Sequence, residues 1–165
     1  TIPGTGILMN NQMNNFAYRY GDKKERGRGA STGNRFEPGK NPMSTMAPTM
    51  IFNKEGELML VTGSPGGSLI PAAILRVITG IIDFDLDIGQ ATMLPRVHKD
   101  WPTTGILYER TVNSDVVRII NKRIGHKMTP EHTMGSTQSI HIIDGVNYGY
   151  ADLRRPGASV SSQEN

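Results

Sequence analysis

The sequence predicts a mixed α/β fold in which helices cover an antiparallel sheet. Three observations predict it. Two pairs of apolar-rich runs are joined by short turns, one at Asn53-Lys54-Glu55-Gly56 and one at Asp144-Gly145. Three stretches carry apolar residues at helical spacing. These elements alternate along 165 residues, enough for one domain with a real core and short for two, so residues 1–165 are expected to form a single domain. A sheet buried by helices is the natural solution for such an alternation. No internal repeat is found.

The elements follow in order. Gly6 to Met9 is expected to be a short strand that starts abruptly. Residues 18–42 are rich in Gly, Arg, Lys, Ser and Asn without apolar periodicity, and form a long polar loop. Loops of that length inside a domain are either lids and binding loops or plain surface chain. Pro48 to Phe52 and Glu57 to Thr62 form the first hairpin. The run Gly63-Ser64-Pro65-Gly66-Gly67-Ser68 follows. Leu69, Ile70, Ala73, Ile74, Val77, Ile78, Ile81 and Ile82 then recur at helical spacing. Pro71 falls in the first turn, where its missing N–H does little harm, and Ser68 is the expected N-cap.

Asp87 opens a second, short helix that Pro95 stops. Ile106 to Arg110 reads as a strand. Val116, Val117, Ile120 and Ile124 mark a third helix, capped near Asn113 or Ser114 and closed by Gly125. Gln138 to Ile143 and Asn147 to Ala151 form the second hairpin. Residues 157–165 are a polar tail.

Composition narrows the function classes. Charged residues make up 20% and the formal net charge is +3. The basic residues are scattered apart from Lys23, Lys24, Arg26 and Arg28, with no interleaved aromatics, so no nucleic-acid partner is expected. The absence of cysteine excludes disulfides and thiolate metal ligands, but leaves the compartment open. No apolar run is long enough to cross a bilayer as a helix. Thr1-Ile2-Pro3-Gly4 has neither a charged start nor an apolar stretch, so any export signal is expected upstream.

Three segments offer chemistry. Gly66-Gly67 lie between a strand end and a helix start, where backbone N–H groups lack acceptors and the helix dipole is positive. Such a turn either cradles a carboxylate, phosphate or oxyanion, or is only a tight connection. It is not a Walker loop, because no Lys-Ser/Thr pair follows Gly67. Ser44-Thr45 supply adjacent hydroxyls that donate to a carboxylate or to local backbone. The amide-rich run Asn10 to Asn15 orients a polar ligand or makes a turn. His98, His126, His132 and His141 have no metal-ligand spacing, and no serine sits in a nucleophile elbow.

The order of these segments resembles the small subunit of gamma-glutamyltransferases over nearly the whole chain. The residues that carry the resemblance are Gly4-Thr5-Gly6-Ile7-Leu8-Met9-Asn10-Asn11-Gln12-Met13-Asn14-Asn15-Phe16, then Pro38-Gly39-Lys40 and Met43-Ser44-Thr45-Met46-Ala47-Pro48-Thr49. Val61-Thr62-Gly63-Ser64-Pro65-Gly66-Gly67-Ser68, Ala91-Thr92 through Pro95-Arg96-Val97-His98, Gly135-Ser136-Thr137-Gln138-Ser139-Ile140 and Asp152-Leu153-Arg154-Arg155-Pro156-Gly157 follow in the same sequence.

The resemblance implies an N-terminal nucleophile hydrolase fold, a four-layer αββα sandwich that is incomplete in this chain. It implies a precursor that cuts itself into large and small subunits, a threonine nucleophile, and no cofactor. The substrate is then a gamma-glutamyl amide, and the acceptor is water or an amine. A periplasmic or secreted location is implied as well. Gly66 and Gly67 match the oxyanion donors, and Ser44 and Thr45 match hydroxyls that hold the donor's α-carboxylate, where the family more often has Ser-Ser. Gln12 matches a polar residue near the donor's amino end. Asn15 falls where the family has an aspartate facing the ammonium. Residues 18–42 match the lid segment without a match to its tyrosine. The nucleophile motif, Thr-Thr-His and an aromatic, is expected upstream of Gly4; Thr1 lacks that context. The chain by itself is therefore expected to be inactive. A glutaryl-type amide acylase of the same fold and a catalytically silent fragment are the alternatives.

Overall fold

The computed structural model describes residues 1–17, 32–100 and 105–162. The chain divides into two compact units, Thr1–Ser44 and Thr45–Asn165.

In the first unit the expected strand at Gly6 to Met9 does not form. Ile2 N donates to Ile7 O and Thr5 Oγ1 to Ile2 O, which closes a turn instead of a ladder. A strand needs a partner, and among the described residues none pairs with this segment; Leu8 and Met9 are 80% and 71% exposed. A 3₁₀ turn follows at Gln12–Asn15 and another at Thr32–Asn34. Phe16 is buried and meets Phe36 edge to face at 5.3 Å. Most of the loop expected over residues 18–42 lies outside the described residues.

The second unit holds two sheets. The first is antiparallel and contains β1 (Thr49–Phe52), β2 (Leu58–Gly63), β6 (Gln138–Ile143) and β7 (Val146–Ala151), in the order β1-β2-β6-β7. Both expected hairpins are present. The second turn is Asp144-Gly145, with φ of +51° and +76°, the geometry of a tight hairpin that follows strand twist. The smaller sheet joins β3 (Val97–His98), β4 (Gly105–Glu109) and β5 (Lys127–Glu131), with β5 parallel to β4. Pro130 sits in β5, an edge strand of this sheet, where a missing N–H is tolerated.

α1 (Ile70–Ile82) buries Ile70, Ala73, Ile74, Val77 and Ile81, the face its spacing predicts. The expected Ser68 cap is not formed. Ser68 lies inside a 3₁₀ turn, Gly67–Leu69, which delays the helix, and no side chain caps it. α2 (Ile88–Met93) starts at Asp87 with a reciprocal capping box to Gln90. α3 (Ser114–Ile119) is capped by Asn113 and continues as a π-helical turn, Ile120–Ile124, that Gly125 ends in a left-handed conformation.

The core joins sheet and helices. Leu60 of β2 packs with Val77 and Ile81 of α1 and with Ile88 and Ala91 of α2. The register pairs Met50 with Val61 and Val61 with Ile140, which places these three on the opposite face from Leu60. Met50 and Ile140 are 64% and 44% exposed there. Among the described residues no helix is long and apolar enough to cross a membrane.

Candidate active-site segments

β2 ends at Gly63, paired with Gln138, and the chain then turns into α1 through the glycine run. Gly66 has φ +143° and Gly67 φ +59°, conformations that side chains disfavour. Gly67 starts the 3₁₀ turn, and Leu69 N donates back to Gly66 O at 3.1 Å. The N–H groups at this end have no acceptor within the helix and stand at its positive pole. Gly66-Gly67 thus stand at the head of the helix in backbone conformations that favour glycine. Behind them, the strand ends are tied by a buried pair of hydroxyls, Thr62 Oγ1 and Ser139 Oγ, 2.8 Å apart.

A buried charge cluster, not singled out in the sequence as a site, lies in the same unit. Arg154 forks onto Glu109, with Nε to Oε1 and Nη2 to Oε2 both 2.7 Å. Its other bonds reach Thr92 O, Leu94 O and Asp152 Oδ1. Arg96 Nη2 reaches Asp152 Oδ2 at 2.7 Å, and Nη1 reaches Met134 O at 2.7 Å. Burial by itself raises the Glu109 carboxyl, but hydrogen bonds from Arg154, Met134 N and Arg96 N outweigh it and hold the group below the usual range. Asp152 behaves alike: burial opposes ionisation, and the Arg154 N–H, the Arg96 charge and the Thr137 N–H win. Burial and then repulsion from Arg154 lower Arg96, while Glu109 and Asp152 hold Arg154 above its ordinary value against burial. The cluster closes α2, β4, the segment Met134–Thr137 and the end of β7 upon one another.

The residues expected near a donor's polar end are divided between the units. In the first unit Asn34, nearly buried, is the hub: its Nδ2 donates to Asn15 O at 2.6 Å, and its Oδ1 accepts from Met43 N at 3.0 Å. Gln12 Nε2 reaches Met43 O at 3.5 Å. Gln12 and Asn15 are therefore gathered to the segment that ends in Ser44. Thr45, half-buried, opens the second unit. Asn34 escapes sequence reasoning because one asparagine in a polar loop carries no pattern.

His98 pairs with Asp100 at 2.8 Å, and His141 is half-buried with its imidazole pKa lowered by desolvation. Among the described residues no group of three His, Cys, Asp or Glu is placed to hold a metal.

The chain is similar to known proteins in sequence and in fold. The profile of the family described as Gamma-glutamyltranspeptidase matches residues 1–162. The chain is 38% identical over 151 residues to the glutathione hydrolase proenzyme of Escherichia coli (strain K12), covering 91% of this chain and 26% of that protein. It is 33% identical over 162 residues to that of Bacillus subtilis (strain 168), covering 96% and 25%. Among solved structures, the T380A mutant of Helicobacter pylori gamma-glutamyltranspeptidase superposes with a TM-score of 0.82 at 32% identity, over 94% of this chain and 85% of that chain. Cephalosporin acylase from Bacillus halodurans gives 0.78 at 25% identity, over 100% of this chain and 29% of that one. The chain thus spans about a quarter of the length of these two glutathione hydrolase proenzymes. With a profile match over almost its full length, the chain belongs to the gamma-glutamyltranspeptidase family.

Proposed function

We propose that this chain is part of the small subunit of a gamma-glutamyltransferase that cleaves gamma-glutamyl amides such as glutathione and passes the glutamyl group to water or to an acceptor amine. The observation that carries the proposal is the Gly66-Gly67 turn at the head of α1, within a chain that matches the family over residues 1–162. In the complete enzyme a threonine hydroxyl attacks the amide carbonyl and forms an acyl-enzyme. The carbonyl oxygen takes up negative charge in the tetrahedral intermediate. Backbone N–H groups of Gly66 and Gly67 donate to it, and because the fold has already oriented them they need no reorganisation. Ser44 and Thr45 hold the α-carboxylate, and Gln12 and Asn15 face the amino end. The partner is the large subunit of the same precursor. The names of the relatives as proenzymes support this, as does the exposed apolar face at Met50 and Ile140.

A glutaryl-type amide acylase is the second reading. It is favoured by the neutral Asn15 and by the likeness to cephalosporin acylase.

The test is release of the aniline from a gamma-glutamyl anilide by the full-length protein and by its Gly67→Val variant. The parent should turn over. Valine should block close approach and lower kcat about 10²- to 10³-fold, more than it weakens donor binding. A folded Gly67→Val enzyme with parental kcat reduces the glycine run to a connection.

A further inference from the structure

Gly66 and Gly67 have no side chains with which to fix their own peptides. Leu69 N holds the Gly66 carbonyl, and the neighbouring segment Met134–Thr137 braces the preceding peptide, Pro65–Gly66, through Ser64. Ser64 Oγ donates to Pro65 O at 2.8 Å and accepts from Ser136 N at 3.0 Å. Gly135, at φ +70°, lies against it: a Cβ there would fall 2.7 Å from Ser64 Oγ, 3.2 Å from Pro65 O and 3.2 Å from Ala73 Cβ of α1. Gly66 abuts the same residue, since its own Cβ would come 3.4 Å from Gly135 Cα.

The geometry of a peptide gives these contacts a consequence. Pro65 O and the Gly66 N–H belong to one planar trans unit and point in opposite directions. A hydroxyl that holds the carbonyl therefore sets the direction of the Gly66 N–H. The holder is itself held, because Arg96 Nη1 grips Met134 O, Glu109 accepts from Met134 N and Asp152 accepts from Thr137 N.

We propose that Ser64 and Gly135 are positioning residues for the oxyanion-binding turn. Ser64 locks the Pro65–Gly66 peptide, and Gly135 supplies the contact surface on which that lock sits. The proposal rests on Gly66 and Gly67 acting as oxyanion donors. Neither Ser64 nor Gly135 touches the reacting atoms; both act through the direction of one N–H.

Ser64→Ala, Ser64→Thr and Gly135→Ala are made in the full-length enzyme beside Gly67→Val. Each is assayed for kcat and donor KM on a gamma-glutamyl anilide and for Tm. Ser64→Ala should lower kcat about tenfold or more, since misplacement of about 1 Å costs up to about 10²-fold. KM should stay within about twofold of the parent, because ground-state binding uses other groups. Ser64→Thr keeps the hydroxyl and should recover most of kcat. Gly135→Ala presses on Ser64 Oγ and should lower kcat with the same sparing of KM. Parental kcat in a folded Ser64→Ala or Gly135→Ala protein overturns the positioning role, and so does a Ser64→Thr enzyme as impaired as Ser64→Ala. Where Ser64→Ala does not fold, Ser64→Thr and Gly135→Ala decide. Parental kcat in Gly67→Val overturns the oxyanion assignment itself. A lowered kcat there, beside parental kcat in Ser64→Ala, removes only the role of Ser64.

Discussion

Arg96 and Asp152 meet at 2.7 Å with their side chains 1% and 0% exposed, 56 residues apart in sequence. Burying both charges is costly, and their attraction is helped to offset that cost by Met134 O and Thr92 O, which accept from the two Arg96 Nη groups, and by Thr137 N, which donates to Asp152, while Arg96 Nε has no partner among the described residues. Removing one partner strands the other. Asp152→Ala should destabilise the fold by about 3–5 kcal/mol. The reading is the urea midpoint, at unchanged slope. A shift of less than about 1 kcal/mol would mean that the cluster is solvated in solution.

Acid sensitivity follows from the same cluster. Glu109 and Asp152 have folded-state pKa values below their unfolded values of about 4.3 and 3.9. The unfolded chain then binds more protons between the two values, so stability rises with pH. Their contribution is complete above the unfolded values and drains away as pH falls through the depressed folded values. His141, lowered by burial, acts in the same sense from about 6.5 downward, since its neutral form is the one the fold accepts. Tm should therefore fall in a shallow step below about pH 6.5 and steeply below about pH 4. His141→Phe should remove the first step and leave the second.

The sequence made the local elements legible and left the long-range ones hidden. Asp144-Gly145, the capping box at Asp87 and the stop at Gly125 each act within a few residues, so local pattern finds them. β3 has two residues, and β5 contains a proline and pairs in parallel with β4 across the length of α3, so neither leaves a period-2 signature. The glycine turn was visible because strand, glycines and helix are contiguous. The cluster of Arg96, Glu109, Asp152 and Arg154 was not, because charged residues so far apart meet only after the sheets form. Ser64 and Gly135 were concealed for the same reason.

Helix contact gives a test of packing alone. A methyl on Gly80 would lie 2.9 Å from Ala91 Cβ and 3.1 Å from Ala91 Cα, so α1 and α2 touch at backbone distance here. Helix propensity by itself favours Gly80→Ala by about 1 kcal/mol. Overpacking against a fully buried Ala91 should win and cost about 1–3 kcal/mol. The companion change Ala91→Gly should return part of that loss, giving a non-additive double-mutant cycle. Additive losses would show that the helices separate freely.

Donor choice turns on Asn15. The 3₁₀ turn that carries it is held through its main-chain oxygen, which accepts from Asn34 at 2.6 Å, so Asn15→Asp leaves that bond in place. The exchange changes little but charge. If the side chain faces the donor's ammonium, a carboxylate adds a charge-assisted hydrogen bond of about 1.5–3 kcal/mol. A glutaryl donor lacks the ammonium and gains nothing. The ratio of kcat/KM for matched glutamyl and glutaryl anilides should therefore rise about tenfold or more in the full-length Asn15→Asp enzyme, since about 1.4 kcal/mol is a factor of ten. The parent, with a neutral Asn15, should discriminate poorly between the two. If the ratio stays where it was, Asn15 does not sense the amino group, and another residue of the complete enzyme sets the preference.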